Sequence, residues 1–293
     1  MKHKAAVIGD NCLDCYCHTQ QWFPGGNAVN VGVYLRRLGL AVAYCGVVGD
    51  DDAGGYLREA LNAERVDLLC LKTVRGPTGR TCVEMREGDR HFVSDDPGVQ
   101  VGFRLSSRAL AHIRGYDVAH FSGFTSWEGG AARCHPSIAS ELRALWQDTK
   151  LSLDFSDTAS GEELFSRVGQ FVDYSFFSRD DRNDAEVQSF VQACSSTTGG
   201  VVVVMRGPLG SAAGAPSVPV QFCPAPSLEV VDTLGAGDAF IAGFLAAMLD
   251  GDDLQSCLQT GTRTAAEVLG QEGAWVNEVV ERRGRSLSKS LPG

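Results

Sequence analysis

The sequence predicts an α/β protein built on a doubly wound, mainly parallel sheet with helices on both faces. Short apolar segments rich in β-formers alternate with helical segments along most of the 293 residues, which is the pattern of repeated βαβ units. The predicted strands are apolar at nearly every position, as expected for strands buried between two helical layers. One hairpin pattern breaks the alternation and predicts a second, small sheet.

The elements of the main sheet are predicted from this alternation in chain order. Each predicted strand is a short apolar run, and each predicted helix carries an apolar stripe, the first being closed by Gly39. The strands are Ala5–Gly9, Ala43–Val48, Val118–Ser122, Leu151–Phe155, Tyr174–Phe177 and Val201–Met205. The helices are Asn27–Leu38, Ala53–Asn62, Ser137–Gln147, Gly161–Phe171, Ala185–Ser195, Ala239–Leu249 and Leu254–Leu269.

The hairpin pattern lies between the second and third of these strands. Thr81–Met85 and His91–Ser94 are strand-like and flank the polar run Arg86–Arg90. With the strand-like residues near 15–23, the segment 81–95 is predicted to form a small separate sheet. A meander at the edge of the main sheet is the alternative at this point.

The chain is predicted to fold as one unit over residues 1–275, followed by a tail over 276–293. From about Val276 the sequence is basic, polar and aperiodic, especially over Arg282–Ser290. Such composition offers little apolar surface to bury, so disorder is predicted for the tail.

Charge and hydropathy narrow the possible function classes. The chain has 26 Lys and Arg against 36 Asp and Glu, a net charge of −10. This balance argues against general binding of nucleic acid or of an anionic membrane surface. No apolar run approaches the roughly 18 residues of a membrane span. The chain enters its first strand directly, so no leader peptide is expected and the predicted location is the cytoplasm.

The ten cysteines are predicted to be reduced and structural. Several lie inside apolar segments, where a thiol behaves as a small hydrophobic side chain. Cys12, Cys15, Cys17 and His18 form a tighter cluster in which metal or redox chemistry is conceivable. On a strand, however, Cys12 and Cys15 point to opposite faces, and no second ligand pair follows at zinc-finger spacing.

The segment Val231–Phe244 carries the strongest chemical signal. Gly235, Ala236 and Gly237 can present backbone N–H groups to an anion, and the helix that follows adds its positive dipole end. Asp238 then lies beside a phosphate-sized site, where a carboxylate is useful as a base for a hydroxyl that attacks phosphorus. An ordinary acid in a first helical turn is the alternative.

A second glycine cluster, Phe23–Gly32, also opens a helix. The rival nucleotide-binding patterns are absent from the sequence: there is no Gly-x-x-x-x-Gly-Lys-Ser/Thr, and the first strand leads into Gly9-Asp10-Asn11 instead of Gly-x-Gly-x-x-Gly. Together, the two glycine segments resemble both signatures of the ribokinase (PfkB) family of carbohydrate kinases. The resemblance extends from about Ala5 to Trp275.

The resemblance implies a ribokinase-like fold and ATP-dependent phosphorylation of a sugar hydroxyl, with Mg²⁺. The small sheet would be a lid over the sugar that excludes water. Asp238 matches the catalytic base, and Gly235, Ala236 and Gly237 match the anion hole. The matches at the sugar site and lid hinge are Asp14, which binds sugar hydroxyls, and Gly25, Gly26 and Asn27.

The nucleotide and metal sites are implied in the same way. The matching nucleotide-binding residues are Ser178, Arg206, Gly207 and Gly210, together with Gly235 and Gly237. Adenine would lie between the segment before Asp232 and the helix Leu254–Leu269. Asp232 and Thr233 match positions that help hold a monovalent cation such as K⁺ in many members.

One stretch departs from the family pattern. Many members have Asn-x-x-Glu after the equivalent of Tyr174–Phe177, and here the residues are Ser178-Arg179-Asp180-Asp181. Asp181 keeps a carboxylate on a shorter arm and would support Mg²⁺ through water, while nucleotide phosphates supply most ligands.

Within the family, the chain most resembles the fructoselysine 6-kinase branch. The motifs that carry this likeness are Ile8–Asp14, Gly25–Val31, Val48–Asp52, Leu153–Asp157 and Gly273–Trp275. The implied substrate is a glycated amino acid, whose protonated amine would favour an extra carboxylate near the sugar. The candidates for that acid, each alternatively a solvated loop residue, are Asp10, Asp95, Asp96 and Glu128.

Other readings stay open at this point. They are a kinase of another acceptor, such as fructose, another ketose, a nucleoside or a sugar acid, and a sugar-binding homologue without catalysis. The partners expected are a small-molecule sugar or glycated amino acid and, through the lid, a second copy of the chain.

Overall fold

The computed structural model describes residues 2–86, 89–124, 138–156 and 159–287. Thirteen strands lie in these residues. In chain order they are β1 Lys4–Ile8, β2 Cys12–Tyr16, β3 Gln21–Gly25, β4 Ala41–Gly49, β5 Asp67–Val74, β6 Arg80–Arg86, β7 Asp89–Asp96, β8 Val118–Ser122, β9 Lys150–Asp154, β10 Tyr174–Ser178, β11 Val201–Met205, β12 Ser211–Ala215 and β13 Val218–Cys223.

Nine of these strands form the main sheet, in the order β13-β12-β11-β10-β9-β8-β1-β4-β5. All neighbours pair in parallel except β12, which is antiparallel to both β11 and β13. The predicted doubly wound, mainly parallel sheet is confirmed. The antiparallel pair β12 and β13 at one edge was not predicted, because neither strand follows the βαβ rhythm.

The helices cover both faces of this sheet. In chain order they are α1 Asn27–Arg37, α2 Asp52–Ala63, α3 Ser107–Ile113, α4 Ile138–Leu145, α5 Ala159–Val168, α6 Asp184–Thr198, α7 Ala236–Asp250, α8 Leu254–Val268 and α9 Glu278–Leu287. Ala5 and Val7 of β1 join one apolar core, with α1, α2, α7 and α8. Ala6 and Ile8 join the other, with α3 to α6. Alternate side chains of β1 thus pack against the helical layers on opposite faces of the sheet.

The chain reverses its direction of travel across the sheet next to β1. From β1 it proceeds to β4 and β5, and it later continues on the other side through β8, β9 and β10. In open α/β sheets, ligands bind at the carboxyl ends of the strands at such a switch point. Asp10 follows β1, and Ser122 ends β8; their side chains are hydrogen-bonded to each other across this crevice.

The remaining four strands form the predicted small sheet, in the order β3-β2-β6-β7. β2 and β6 are parallel, whereas β3 and β7 are antiparallel to their neighbours. The sheet is separate from the main one, so the edge meander considered as an alternative is not found. β3 leads directly into α1, which couples this sheet to the first helix of the main body.

The expectation of disorder from Val276 is wrong for most of that segment. Glu278–Leu287 forms α9, in which Val279 and Val280 are buried in the main core. Arg282 and Arg283 of the basic run pair with Glu59 of α2. Two adjacent apolar residues gave no visible helical period, although they suffice to dock the helix. Residues 288–293 lie outside the described residues.

In the described ranges, no helix has both the length and the apolar character needed to cross a bilayer.

Candidate active site

The glycine segment of the second signature forms the start of α7. Gly235 is the N-cap residue, in the left-handed region at φ 78°. A Cβ at this position would lie 2.6 Å from the Ala274 Cβ, so both the backbone and the packing require glycine. In the first turn of α7 the Ala236 N–H donates to the Thr233 carbonyl at 3.2 Å, and both Ala236 and Gly237 line a cavity at the N-terminus of the helix.

Asp238 lies in the same turn and meets the first turn of α1. Its Oδ1 accepts a hydrogen bond from Asn27 Nδ2 at 2.7 Å, and its Oδ2 accepts one from Asn30 Nδ2 at 2.7 Å. The two glycine signatures, some 200 residues apart in sequence, therefore converge on one carboxylate.

Both asparagines have further partners. Asn27 Nδ2 also donates to Asp154 Oδ2 at 3.0 Å, and its Oδ1 lies 3.2 Å from His120 Nε2. Asn30 Oδ1 accepts a hydrogen bond from Trp275 Nε1 at 3.0 Å. The resemblance assigned Asn27 to the sugar, whereas here both hydrogens of its amide point at carboxylates. His120 was not singled out from the sequence, because a lone histidine inside an apolar strand carries no motif.

Asp10 has a different task from the one expected. Its Oδ2 accepts from the Asn27 N–H at 3.0 Å and its Oδ1 from the Ala28 N–H at 3.2 Å, so it caps α1. Burial raises the pKa of this carboxyl, against the opposing hydrogen bonds from Ser122 and the two backbone amides. Asp10 is therefore committed to the helix, and its place as first candidate for the substrate ammonium is corrected.

Asp14 lies on the face of β2 that is directed toward the α7 turn. Cys12 and Tyr16, two residues away on either side, share this face. Cys12 Sγ donates to Asp14 Oδ1 at 3.3 Å, and the Tyr16 hydroxyl donates to Asp232, which precedes the glycine turn. Asp14 is buried, and a Cβ on Gly25 would collide with its Oδ2 at 1.9 Å. Gly25 thus makes room for this carboxylate.

The small sheet carries a row of polar residues that begins at Asp14. Asp14 is in register with Thr81 on β6, and Thr81 is in register with Asp95 on β7. Thr81 Oγ1 donates to Asp95 Oδ1 at 3.1 Å, which places both side chains on one face. Asp96 instead accepts from the Gly98 N–H at 2.9 Å. Glu128 lies outside the described residues.

A cavity of about 710 Å³ opens beside the α7 turn. One wall is the segment between β13 and α7, with Leu228 and Val230, and the opposite wall is α8, with Ala265 and Leu269. Its volume is in the range of small-molecule sites. The cavity has the location expected for adenine, and its apolar walls suit a planar base. The further lining residues include Ser178, Gly207 and Gly210.

Two residues expected at the phosphates or metal do not reach this cavity. The Arg206 guanidinium is buried, 2.7 Å from Asp184 Oδ1, and donates to the Arg182 carbonyl at 3.2 Å. Asp181 lines a neighbouring surface depression, and the carboxylate residue on the cavity wall is Asp180. The Arg206 guanidinium is thus engaged by Asp184 and Arg182, and Asp180 is the carboxylate residue nearest the expected Mg²⁺; the assignments of Arg206 to phosphate and of Asp181 to Mg²⁺ stay predictions.

The two residues expected to bind a monovalent cation lie in different environments. Thr233 is exposed on the cavity wall, whereas Asp232 is buried. The Asp232 carboxylate accepts from the N–H groups of Leu234 at 2.9 Å and Gly273 at 3.0 Å, and from the Tyr16 hydroxyl. These three donors meet much of the carboxylate charge within the protein, and the binding of a monovalent cation at Asp232 and Thr233 stays a prediction.

The nine cysteines within the described ranges are free thiols, including Cys12, Cys15 and Cys17. In these ranges, no group of three His, Cys, Asp or Glu side chains is arranged to hold a metal ion.

Comparison with curated proteins finds relatives along nearly the whole chain. It is 33% identical to the fructosamine kinase FrlD of Bacillus subtilis over 276 residues, covering 93% of each chain. It is 35% identical to the fructoselysine 6-kinase of Escherichia coli over 270 residues, covering 92% of this chain and 98% of that protein.

Solved structures agree at the level of the fold. The ribokinase of Arabidopsis thaliana, complexed with ribose and ATP, aligns with a TM-score of 0.79 at 21% identity, covering 99% of both chains. The aminoimidazole riboside kinase of Salmonella enterica aligns with a TM-score of 0.73 at 21% identity, covering 97% of this chain and 99% of that one. The family model described as pfkB family carbohydrate kinase matches residues 4–279. With two glycine signatures joined at one carboxylate and these matches along its length, the chain belongs to the pfkB family of carbohydrate kinases.

Proposed function

We propose that this kinase transfers the γ-phosphoryl group of ATP to the 6-hydroxyl of fructoselysine, giving fructoselysine 6-phosphate. The observation that carries the reaction is Asp238, held by Asn27 and Asn30 in the first turn of α7, beside the cavity. The substrate follows from relatives, 33–35% identical over more than nine-tenths of the chain, that are named for fructosamine and fructoselysine.

In this mechanism the acceptor hydroxyl binds against Asp238. Its oxygen forms a bond to the γ-phosphorus as the bond to the β,γ-bridging oxygen breaks, and its proton passes to Asp238. The N–H groups of Gly235, Ala236 and Gly237 stabilise the charge that develops on the phosphoryl oxygens. Mg²⁺ bound with ATP neutralises phosphate charge, and Asp180 is the carboxylate on the cavity wall that would support it. The lid excludes water, which would compete as acceptor.

The row of polar residues on the small sheet, Asp14, Thr81 and Asp95, supports fructoselysine as the acceptor. Asp14 would take the ketose hydroxyls, and Asp95 would face the protonated amine, with Thr81 between them. Two strand spacings separate Asp14 from Asp95, about 9–10 Å between Cα atoms. This separation suits a molecule with hydroxyls at one end and an ammonium further along. Asp95 takes the place expected for Asp10, whose oxygens are occupied by α1.

Substrate choice is tested by comparing two acceptors. Fructose lacks the ammonium and the amino-acid arm, so fructoselysine is expected to exceed it in kcat/KM by at least about tenfold. Asp95→Asn should lower kcat/KM for fructoselysine by about tenfold and leave that for fructose within about twofold. Asp96→Asn is the matched control, because its carboxylate engages Gly98. Equal kcat/KM for both sugars in the wild type would reject the substrate assignment and leave a general sugar kinase.

The base is tested separately, with whichever sugar the wild type uses best. Asp238→Asn is expected to bind ATP, measured by calorimetry, and to lose about 10²–10⁴-fold in kcat, the usual contribution of a general base. The new amide would turn an NH₂ group toward Asn27 or Asn30, so Asp238→Ala serves as a second variant. Near-normal kcat in both folded variants would remove Asp238 from the mechanism.

The remaining expectations complete the proposal. ATP and small sugar substrates suit a cytoplasmic location. A homodimer formed through the lid is expected from the family resemblance, and light scattering of the purified protein would check it.

A further inference from the structure

We propose that His120 and Trp275 are positioning residues for the catalytic base. Each donates a hydrogen bond to the side-chain oxygen of one asparagine, and so directs the amide hydrogens of that asparagine to Asp238. This inference rests on the proposed role of Asp238 as base.

The hydrogen bond between Trp275 and Asn30 can have only one direction. An indole N–H is a donor and never an acceptor. Trp275 Nε1 lies 3.0 Å from Asn30 Oδ1, and both side chains are buried. The oxygen of Asn30 is thereby fixed toward Trp275, and its Nδ2 must face Asp238 Oδ2, at 2.7 Å.

For His120, the direction of the hydrogen bond to Asn27 depends on which imidazole nitrogen carries the proton. Asn27 Nδ2 uses its two hydrogens on Asp154 and Asp238, so Asn27 Oδ1 is left as an acceptor. His120 Nε2 must then carry a proton to donate to it. Burial lowers the pKa of His120 to about 3, which keeps the ring neutral. Its Nδ1 is therefore an acceptor, and the Ser152 hydroxyl donates to it at 2.9 Å.

Each amide is left with one acceptable orientation. A flipped Asn27 would turn its oxygen toward the two carboxylates of Asp154 and Asp238. A flipped Asn30 would turn its NH₂ toward the indole N–H of Trp275. In a buried site such mismatches are costly, because no water replaces the lost hydrogen bonds. The indole thus determines the orientation of Asn30, whereas the two carboxylates determine that of Asn27 and His120 holds its oxygen in place.

The consequence is a carboxylate held at both oxygens. One amide donor on each oxygen of Asp238 sets the plane of the carboxylate that would receive the proton of the acceptor hydroxyl. Neither His120 nor Trp275 is among the residues that line the nucleotide cavity. Their removal should therefore impair the chemical step more than substrate binding.

The test measures kcat and KM separately for both substrates in folded variants. His120→Leu removes the donor to Asn27, and Trp275→Phe keeps a large aromatic ring but removes the donor to Asn30. Each is expected to lower kcat by about 10–100-fold with KM within about threefold. His120→Gln keeps an N–H at a similar reach and should restore most of the kcat. The matched controls are His112→Gln at a half-buried position and Trp146→Phe at an exposed one, both outside the site, and wild-type kcat is expected for both.

A double-mutant comparison adds a second readout. If His120 acts through Asn27, then His120→Leu added to Asn27→Ala should lower kcat no further than Asn27→Ala alone. Additive losses, unchanged kcat in folded Trp275→Phe and His120→Leu, or an effect on KM alone would each overturn the proposal. If His120→Leu does not fold, the kcat values of His120→Gln and Trp275→Phe test the proposal. Measuring Asp238→Asn in parallel separates the role of Asp238 as base from the positioning role of His120 and Trp275. Normal turnover of Asp238→Asn would reject Asp238 as the base. An inactive Asp238→Asn beside fully active His120→Leu and Trp275→Phe would reject only the positioning role.

Discussion

Gly235 and Gly237 lie two residues apart in one turn, but the structure requires glycine only at the first. Gly235 has a positive φ, and a Cβ there would collide with Ala274 at 2.6 Å. At Gly237 a Cβ would meet only the end of Met205, at 3.8 Å, and Gly237 lines the cavity proposed to bind the nucleotide. Gly235 serves the fold, and we expect Gly237 to leave space for a phosphate.

We therefore expect the two substitutions to separate stability from nucleotide use. Gly237→Val should leave the Tm nearly unchanged and raise KM for ATP by at least about tenfold, because its side chain fills the space of a phosphate. Gly235→Val should lower the free energy of unfolding by about 2–4 kcal/mol, through strain and overpacking. Thermal melts beside ATP kinetics would check both. A similar loss of Tm in both variants would contradict this division of roles.

Sequence patterns identified residues whose role depends on a motif, and they did less well where side-chain direction decides. Asp238 lies in the second signature and Asp14 was assigned from the family resemblance, and in the structure Asp238 meets Asn27 and Asn30 while Asp14 is buried beside Gly25. Arg206 and Asp181 follow strands in the expected places, but their side chains turn toward α6 and the solvent. No periodicity reports such a choice, because it depends on partners distant in sequence. His120 gave no signal for the same reason.

At the scale of elements, the separate sheet was predictable because a hairpin pattern interrupts a regular βαβ rhythm. The boundaries of Val118–Ser122 and Val201–Met205 were also predicted as found, since each is a compact apolar run. The antiparallel strands β12 and β13 and the docked helix α9 were not. Their stability comes from neighbours: β12 completes the ladder of β11, and α9 packs on α2 and β3.

The small sheet is tied to the segment before α7 by a buried hydrogen bond from Tyr16 on β2 to Asp232. With the amides of Leu234 and Gly273, three donors thus meet the charge of the Asp232 carboxylate. We expect replacement of K⁺ by choline, at constant ionic strength, to change kcat/KM by less than about twofold. Tyr16→Phe removes one donor and should make turnover dependent on K⁺. Activation of the wild type by K⁺ of tenfold or more would contradict this account of Asp232.

At the scale of the whole molecule, the site lies where the main sheet changes direction. β1 delivers Asp10, and β8 delivers His120 and Ser122, to the two sides of one crevice, while α1 and α7 bring their first turns together above it. The βαβ alternation predicted this edge of the sheet as the ligand site. It did not predict that a neutral, fully buried histidine would lie beneath it, so the stability of the entire fold becomes linked to the titration of one ring.

The sign of that linkage follows from the pKa of His120. In the unfolded chain the ring has an ordinary pKa of 6.5, whereas burial lowers it to about 3 in the folded protein. Between these values the unfolded state binds a proton that the folded state does not, so stability falls as pH falls through this window. Asp10, whose pKa is raised by burial, acts in the opposite sense at acid pH.

We therefore expect the wild type to lose about 2 kcal/mol of unfolding free energy between pH 7 and pH 5 through His120 alone. His120→Gln has no titrating ring, so its stability should decline less over this interval by that amount, while the contribution of Asp10 is common to both proteins. Denaturant unfolding of the two proteins at pH 7, 6 and 5 gives the difference directly. The His112→Gln variant is the control for a His→Gln exchange outside the site. Parallel curves for wild type and His120→Gln would mean that the folded ring takes up its proton over the same pH interval as the unfolded ring, and would contradict the argument that burial keeps His120 neutral.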